Sequence, residues 1–153
     1  MKAIRTGLIV LALAALQACS TVSPRFETTV PGATLALSKK EPVTLPANFE
    51  VDSKATGQHL FKVVAPGGRE MYGLLPLRVN GGKMAGSILF FAPALAIGGF
   101  RDPFPFYEFD PENGTLRYKM TAEAEWRLFK PSEAEAERAR TFFKTGVDPR
   151  ANK

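Results

Sequence analysis

Turn-forming residues recur at intervals of about ten residues, and this spacing constrains the fold more than any other feature of the sequence. Short apolar runs are separated by clusters of glycine with proline or asparagine at 31–32, 66–68 and 80–82, by a polar break at 38–42 and by Pro46. The 153 residues include 13 glycines and 12 prolines, a share that favours short strands over a long helical bundle. A chain of this length has room for one hydrophobic core. We therefore expect a mainly β protein, a small antiparallel β-sandwich with an apolar, glycine-rich insert and a short C-terminal helix.

The strand pattern is clearest in five segments. Four of the predicted strands are short, and they fall within 28–37, after a turn, and over 43–46, 60–64 and 71–79. Between Leu116 and Leu128, apolar and polar residues alternate at every position. This period of two predicts one long half-buried strand, or two strands bent at Ala122 to Ala124.

The C-terminal region carries the signals of a helix over 131–146. Ser132 and Glu135 form a capping-box pattern, and the acidic residues that follow come early while the basic ones come late. Two adjacent aromatic residues, Phe142 and Phe143, lie near the end of this segment. They either dock the helix on the β domain or present it to a partner protein.

Residues 1–18 have the features of a bacterial export signal. Lys2 and Arg5 precede ten apolar residues at 7–16, a length typical of a signal peptide and too short to cross a bilayer. The sequence Leu-Gln-Ala-Cys that ends at Cys19 resembles the lipobox of bacterial lipoproteins. The resemblance implies that the leader is removed and that Cys19 then carries palmitate or related acyl chains.

Two alternatives leave Cys19 unacylated: an ordinary signal peptide followed by a free thiol, or a leader that is never cut. We favour acylation, because an unpaired thiol is a liability in an oxidising compartment. Ser20, rather than aspartate, follows Cys19, which resembles lipoproteins that are sorted to the outer membrane. The expected location is therefore the cell envelope, with the protein lipid-anchored at the outer membrane, facing the periplasm, and residues 19–27 forming the lipidated tether.

The charge balance bears on the expected partners. Removal of 1–18 takes Lys2 and Arg5 from the 20 basic residues, which leaves 18 against 15 acidic residues and a net charge of +3. The basic residues are scattered and form no stripe interleaved with aromatic residues, so nucleic acid is not an expected partner. We expect membrane lipid, through acylated Cys19, and an envelope protein as partners. The sequence leaves the oligomeric state open.

An unusual segment, 84–100, interrupts the region 28–130 that we assign to the β domain. Its 17 residues carry no charge. As a helix the segment would reach about 25 Å, less than the roughly 30 Å of a hydrocarbon core, and Pro93 would interrupt it. We expect either a buried hairpin that covers the β domain or an exposed hairpin that dips into the leaflet holding the anchor.

A family resemblance rests on short motifs in both halves of the chain. The sequences at 31–33 and 41–46 resemble the opening of a PEGA-like domain, a small β-sandwich module of bacterial envelope proteins. The second half resembles small PEGA-type lipoproteins through a glycine-rich stretch at 82–99 followed by Asp110, Gly114 and Tyr118. The resemblance implies a binding or structural role and supplies no catalytic residue.

Few side chains suggest catalysis, and we expect no cofactor. His59 is the only histidine, and we expect it on the surface or in a turn. Asp102 and Asp110 lack the spacing of a calcium loop, and Glu108 with Asp110 forms no glycosidase pair without a cleft. The expected function is a non-enzymatic, membrane-tethered domain for docking or structural interaction. The alternative is a periplasm-facing hydrolase or lipid-handling protein that uses 84–100 as a pocket wall.

Overall fold

A computed structural model of the protein describes residues 21–54, 57–81 and 101–150. Cys19 and the apolar segment 84–100 lie outside these residues, so acylation and both expectations for the segment stay predictions. In chain order the described strands are β1 (Thr21–Val22), β2 (Arg25–Thr28), β3 (Thr34–Leu37), β4 (Val43–Thr44), β5 (Ala47–Asn48), β6 (Val51–Asp52), β7 (Leu60–Val64), β8 (Glu70–Leu74), β9 (Leu77–Val79), β10 (Arg101–Pro103), β11 (Phe106–Asp110), β12 (Thr115–Lys119) and β13 (Arg127–Phe129). A helix, α1 (Glu133–Thr145), follows them.

Two larger sheets and two strand pairs organise these elements. One sheet has five strands in the order β13-β12-β11-β2-β5, and the other has four in the order β4-β3-β7-β8. Strand β1 pairs with β6, and β9 pairs with β10. Within the described residues every pair of neighbouring strands is antiparallel except β2 and β11, which run parallel. The predicted mainly β fold with a short C-terminal helix is confirmed.

The core lies between the two larger sheets. The ring of Phe61 on β7 meets the ring of Phe109 on β11 edge to face, with their centres 5.1 Å apart. Alternate residues of each strand point toward this contact, as the pleat requires. The fully or nearly fully buried residues of the cluster are Phe26, Ala33, Leu35, Leu37, Leu45, Val51, Phe61, Val63, Met71, Leu75, Tyr107, Phe109 and Leu116.

The prediction of a tether over 19–27 is wrong from Thr21 onward, because strands β1 and β2 occupy this part of the chain. Strand β2 lies between β11 and β5 in the five-stranded sheet. Its Phe26 is fully buried and stacks on Tyr107, with ring centres 5.3 Å apart. Burial of an aromatic side chain of this size is strongly favourable, and it draws the strand into the core.

The alternating segment 116–128 forms two strands joined by a turn, which is the second of the two predicted arrangements. β12 ends at Lys119 and β13 begins at Arg127 beside it. Leu116 is buried as predicted, whereas Leu128 is 69% exposed and Phe129 packs on the core instead. The prediction that all the alternating apolar residues face the core is therefore wrong at Leu128. The turn between β12 and β13 shifts the pattern by one residue, so Phe129 faces the core and Leu128 faces solvent.

Helix α1 confirms the predicted capping, and it is docked on the β domain, the first of the two arrangements considered for Phe142 and Phe143. Ser132 and Glu135 make the reciprocal hydrogen bonds of a capping box, and Gly146 closes the helix in the left-handed conformation. Phe142 is buried with Ala139 on the outer face of the four-stranded sheet. The three sheet residues of this second cluster are Leu60, Tyr72 and Leu74. Both faces of β7 and β8 are thus covered, by the core on one side and by α1 on the other.

Candidate functional site

The start of the described chain lies at one edge of the fold, next to two basic residues. Thr21 pairs with Asp52, two residues before Lys54. Lys54 and Arg101 form a bridge there through two backbone hydrogen bonds of 2.8 and 2.9 Å. Arg101 also pairs with Val79, which is 60% exposed. We call Lys54, Val79 and Arg101 the anchor edge.

A cavity of about 290 Å³ lies beside the anchor edge and shares Lys54 with it. We call it the lysine cavity, because three lysines contribute to its lining. Its polar lining includes Ser38, Lys39, Lys40, Lys54, Gln58 and His59. One apolar wall is Phe142 of α1, so the docked helix helps to shape the cavity. The lysines come from two separate parts of the chain, namely the turn after β3 and the residues after β6.

His59 lies in the wall of the lysine cavity with only 3% of its surface exposed. The prediction of a surface or turn histidine is therefore wrong. The imidazole tolerates burial because both ring nitrogens have partners: Nε2 lies 2.8 Å from the carbonyl oxygen of Asp52, and Nδ1 lies 3.4 Å from Oγ of Ser38. These partners come from β6 and from the turn after β3.

Burial lowers the pKa of His59, and the nearby positive charges of Lys54 and Lys40 lower it further. The ring is therefore neutral at neutral pH. A neutral imidazole has one donor and one acceptor, so Nε2–H donates to the Asp52 carbonyl and Nδ1 accepts from the Ser38 hydroxyl. The Ser38 oxygen in turn accepts a hydrogen bond from the backbone N–H of Leu60 at 3.3 Å.

The turn after β3 presents its lysines through an unusual backbone conformation. Ser38 has a φ of 50°, in the left-handed region that few residues other than glycine adopt readily. Its N–H donates to the Leu60 carbonyl at 2.6 Å, and the Lys40 N–H donates to the Leu37 carbonyl at 3.0 Å, so the turn is fixed at both ends. The ammonium group of Lys40 donates to the backbone carbonyl of Glu50. This contact holds Lys40 at the side of the cavity.

The charge balance of the lysine cavity is positive. Two aspartates, Asp52 and Asp148, belong to its lining. Asp148 accepts two hydrogen bonds from the Arg138 guanidinium, at 2.8 and 2.6 Å, and this contact lowers the pKa of its carboxyl group. Among the lining residues, three lysines against two aspartates leave one net positive charge. The Asp52 side chain is exposed to solvent, where water screens its charge.

The acidic residues weighed for calcium or glycan chemistry do not converge. Asp102 is buried at 2% exposure, and its carboxylate accepts hydrogen bonds from Ser53 at 2.6 Å and Asn80 at 2.9 Å. Asp110 holds a turn by accepting from the backbone and side chain of Asn113, and the side-chain contact lowers the pKa of Asp110.

Glu108 forms an ion pair with Arg117 across β11 and β12. Each of the predicted acidic candidates is therefore engaged in a local contact. Within 21–54, 57–81 and 101–150, no three histidine, cysteine or carboxylate side chains are grouped closely enough to hold a metal ion.

The chain matches no protein-family model, no curated protein and no solved structure. No helix in the described part of the chain has the length and apolar character needed to cross a membrane.

Proposed function

We propose that the protein is a non-enzymatic lipoprotein of the bacterial cell envelope, anchored in the outer membrane by acyl chains on Cys19, whose β domain docks at the periplasmic surface. The observation that carries the proposal is the position of β1. Only Ser20 separates Cys19 from β1, the first strand of the described residues, which begins at Thr21. An extended chain advances at most about 3.6 Å per residue, so the acylated residue lies within about 7 Å of Thr21.

This short spacing supports a particular orientation of the domain at the bilayer. Because β1 runs antiparallel to β6, Thr21 lies beside Asp52, two residues before Lys54, which is bridged to Arg101. A lysine or arginine close to an anionic membrane surface contributes on the order of 1 kcal/mol of attraction. The anchor edge therefore faces the headgroups, and its two cations add to the hold of the acyl chains.

The acyl chains supply most of the membrane attachment. A single chain of about fourteen carbons gives only marginal, reversible binding, whereas two or more chains give lasting attachment. The filled core between the two sheets supports a docking role for the attached domain, as does the resemblance to PEGA-type lipoproteins. Docking to an envelope protein then uses the surfaces that point away from the bilayer.

Palmitate labelling of the full chain tests the anchor directly. We expect wild type to incorporate labelled palmitate and to fractionate with membranes, and Cys19→Ala to do neither. Ser20→Ala is the matched control, because it changes the adjacent residue and leaves the thiol in place. Export of an unlabelled, soluble wild-type protein would overturn the proposal.

A second candidate function, hydrolysis of an ester by Ser38, is favoured by the contact between Ser38 Oγ and His59 Nδ1. In this reaction Oγ attacks the acyl carbon while its proton passes to Nδ1, and that proton then passes to the departing alkoxide. Water hydrolyses the acyl-serine to release the acid. The Asp52 carbonyl orients the imidazole through Nε2–H.

A fluorophosphonate probe separates this candidate from the non-enzymatic function. An active serine would be labelled in wild type, and the label would be lost in both Ser38→Ala and His59→Gln. Ser53→Ala serves as a control, because Ser53 lies outside the lysine cavity. The non-enzymatic proposal expects no labelling of wild type beyond that of Ser38→Ala.

A further inference from the structure

We infer that the lysine cavity is a binding site for a phosphate group, held by Lys39, Lys40 and Lys54 with the side-chain amide of Gln58 as a further donor. The four side chains line one cavity of about 290 Å³. A phosphate group carries acceptor oxygens and negative charge, which ammonium groups match as point charges. The net positive charge of the cavity lining has the complementary sign.

The charges of Lys40 and Lys54 both act on His59 in the cavity wall. Both Lys40 and Lys54 influence the protonation of His59, which shows that their ammonium groups lie within electrostatic range of the same buried ring. The carbonyl of Glu50 holds Lys40 in place, and the bridge to Arg101 fixes the backbone of Lys54. Positions fixed in this way reduce the entropy that binding must overcome.

Two aspartates compete with the lysines at this site, and one of them is already paired. Asp148 already accepts two hydrogen bonds from Arg138, and only 19% of its side chain is exposed. Asp52 is exposed, so water screens its carboxylate, but its charge acts on the His59 ring together with those of Lys54 and Lys40. The lining therefore keeps an excess of positive charge, with three lysines against the screened Asp52 and an Asp148 that is paired with Arg138.

The position of the cavity suggests where the phosphate comes from. Lys54 belongs both to the cavity and to the anchor edge, so a lipid phosphate at the membrane surface lies close to the cavity entrance. This part of the inference rests on the proposed function, because it needs the anchor at Cys19. Free phosphate presents the same chemistry and reaches the cavity without the membrane.

The first experiment uses inorganic phosphate and needs no anchor. The full chain carrying Cys19→Ala, in an uncharged detergent, is titrated with phosphate while the His59 imidazole signals are followed by NMR. We expect saturable shifts whose apparent affinity falls about tenfold or more in a Lys40→Gln, Lys54→Gln double variant. Lys130→Gln is the control, because Lys130 is exposed and lies outside the cavity lining.

The second experiment uses vesicles and the acylated wild-type chain. Dissociation of the protein from phosphatidylglycerol vesicles is compared with dissociation from phosphatidylcholine vesicles, for wild type and the same variants. Faster dissociation of the double variant from both, with Lys130→Gln unchanged, identifies a lipid phosphate as the ligand. A lysine effect seen with inorganic phosphate alone identifies free phosphate, and it supports the site equally.

Absence of a lysine-dependent effect in both experiments, or an equal loss in Lys130→Gln, would overturn the inference. The outcome for the proposed function is separate. Palmitate labelling decides the anchor, whereas the phosphate titration uses a chain that cannot be acylated. A failed anchor therefore leaves the phosphate site testable, and a failed phosphate site leaves the anchor standing.

Discussion

The hydroxyl of Tyr107 donates a hydrogen bond of 2.6 Å to the carbonyl oxygen of Pro76, at the point where the chain leaves β8 for β9. The same hydroxyl accepts a hydrogen bond from the N–H of Phe104 at 2.7 Å. Tyr107 is fully buried, and this burial raises its pKa, so the phenol stays protonated. One oxygen atom thus ties the five-stranded sheet to the chain on both sides of the β9–β10 pair.

Replacement of Tyr107 by phenylalanine should destabilise the fold while leaving its packing intact. The ring remains, but the Phe104 N–H loses its acceptor and the Pro76 carbonyl loses its donor. An unsatisfied buried polar group costs about 1–3 kcal/mol, so the free energy of unfolding should fall by about that amount. Urea denaturation measures it. Tyr118→Phe, in the half-buried tyrosine of the neighbouring strand, is the control, and an equal loss there would contradict the role assigned to Tyr107.

Gly73 allows the two faces of β8 to be covered at once. A Cβ atom at this position would lie 2.7 Å from Cγ of Pro131 and 2.8 Å from Cζ of Phe61. Gly73→Ala should therefore force the strand away from the core or from the segment that leads into α1. Overpacking of this kind typically costs about 1–3 kcal/mol.

Thermal denaturation of Gly73→Ala and Gly81→Ala tests this requirement. A Cβ atom at Gly81 meets nothing within 4 Å, so Gly81→Ala should leave the melting temperature nearly unchanged. A similar melting temperature for the two variants would show that the space around Gly73 adjusts freely.

Local patterns predict the elements whose signals lie close together in sequence. The capping box of Ser132 and Glu135 specifies the start of α1, and Asp110 with Gly114 specifies the turn between β11 and β12. Both signals act through backbone contacts within a few residues. The alternation after Leu116 correctly predicts strands, but it does not show where the turn between β12 and β13 lies.

The features that the sequence does not predict depend on contacts between distant parts of the chain. They are the position of β2, the burial of His59 and the lysine cavity. Strand β2 is held by Phe26 against Tyr107, 81 positions later, and a single phenylalanine among polar residues gives no periodic signal. The burial of His59 depends on Asp52 and Ser38, which only the folded sheets bring together. The lysine cavity likewise forms between two loops that are distant in sequence. The sequence of each loop by itself predicts only a polar break between strands.

The proposed orientation predicts that Lys54 lies at the membrane surface. Cys19 is the only cysteine and would be acylated, so Lys54→Cys introduces the sole reactive thiol. An environment-sensitive dye attached there should shift toward its apolar emission when the acylated protein is on vesicles. Glu112→Cys is the control, because Glu112 lies in the β11–β12 turn, at the opposite end of the fold from the anchor edge. Equal shifts at both positions would reject the orientation.

The buried imidazole of His59 should make stability depend on pH below 6.5. Its pKa is lowered from 6.5 in the folded state, chiefly by burial, so the unfolded chain binds a proton more readily than the folded chain. The contribution of His59 to stability is therefore fully present above 6.5, and it is lost as the pH falls from 6.5 toward the folded pKa. The groups that face the ring are Lys40, Lys54, the Asp52 carboxylate and carbonyl, and Ser38.

Urea denaturation at several pH values should show this loss in wild type and not in His59→Gln. A single histidine gives a slope of at most about 1.4 kcal/mol per pH unit. The carboxyl groups of Asp110 and Asp148 have pKa values lowered from 3.8, so their contributions are lost in stronger acid than the pH of 6.5 at which the loss from His59 begins. Parallel curves for wild type and His59→Gln as the pH falls below this value would show that the ring takes up its proton as easily in the fold as in the unfolded chain.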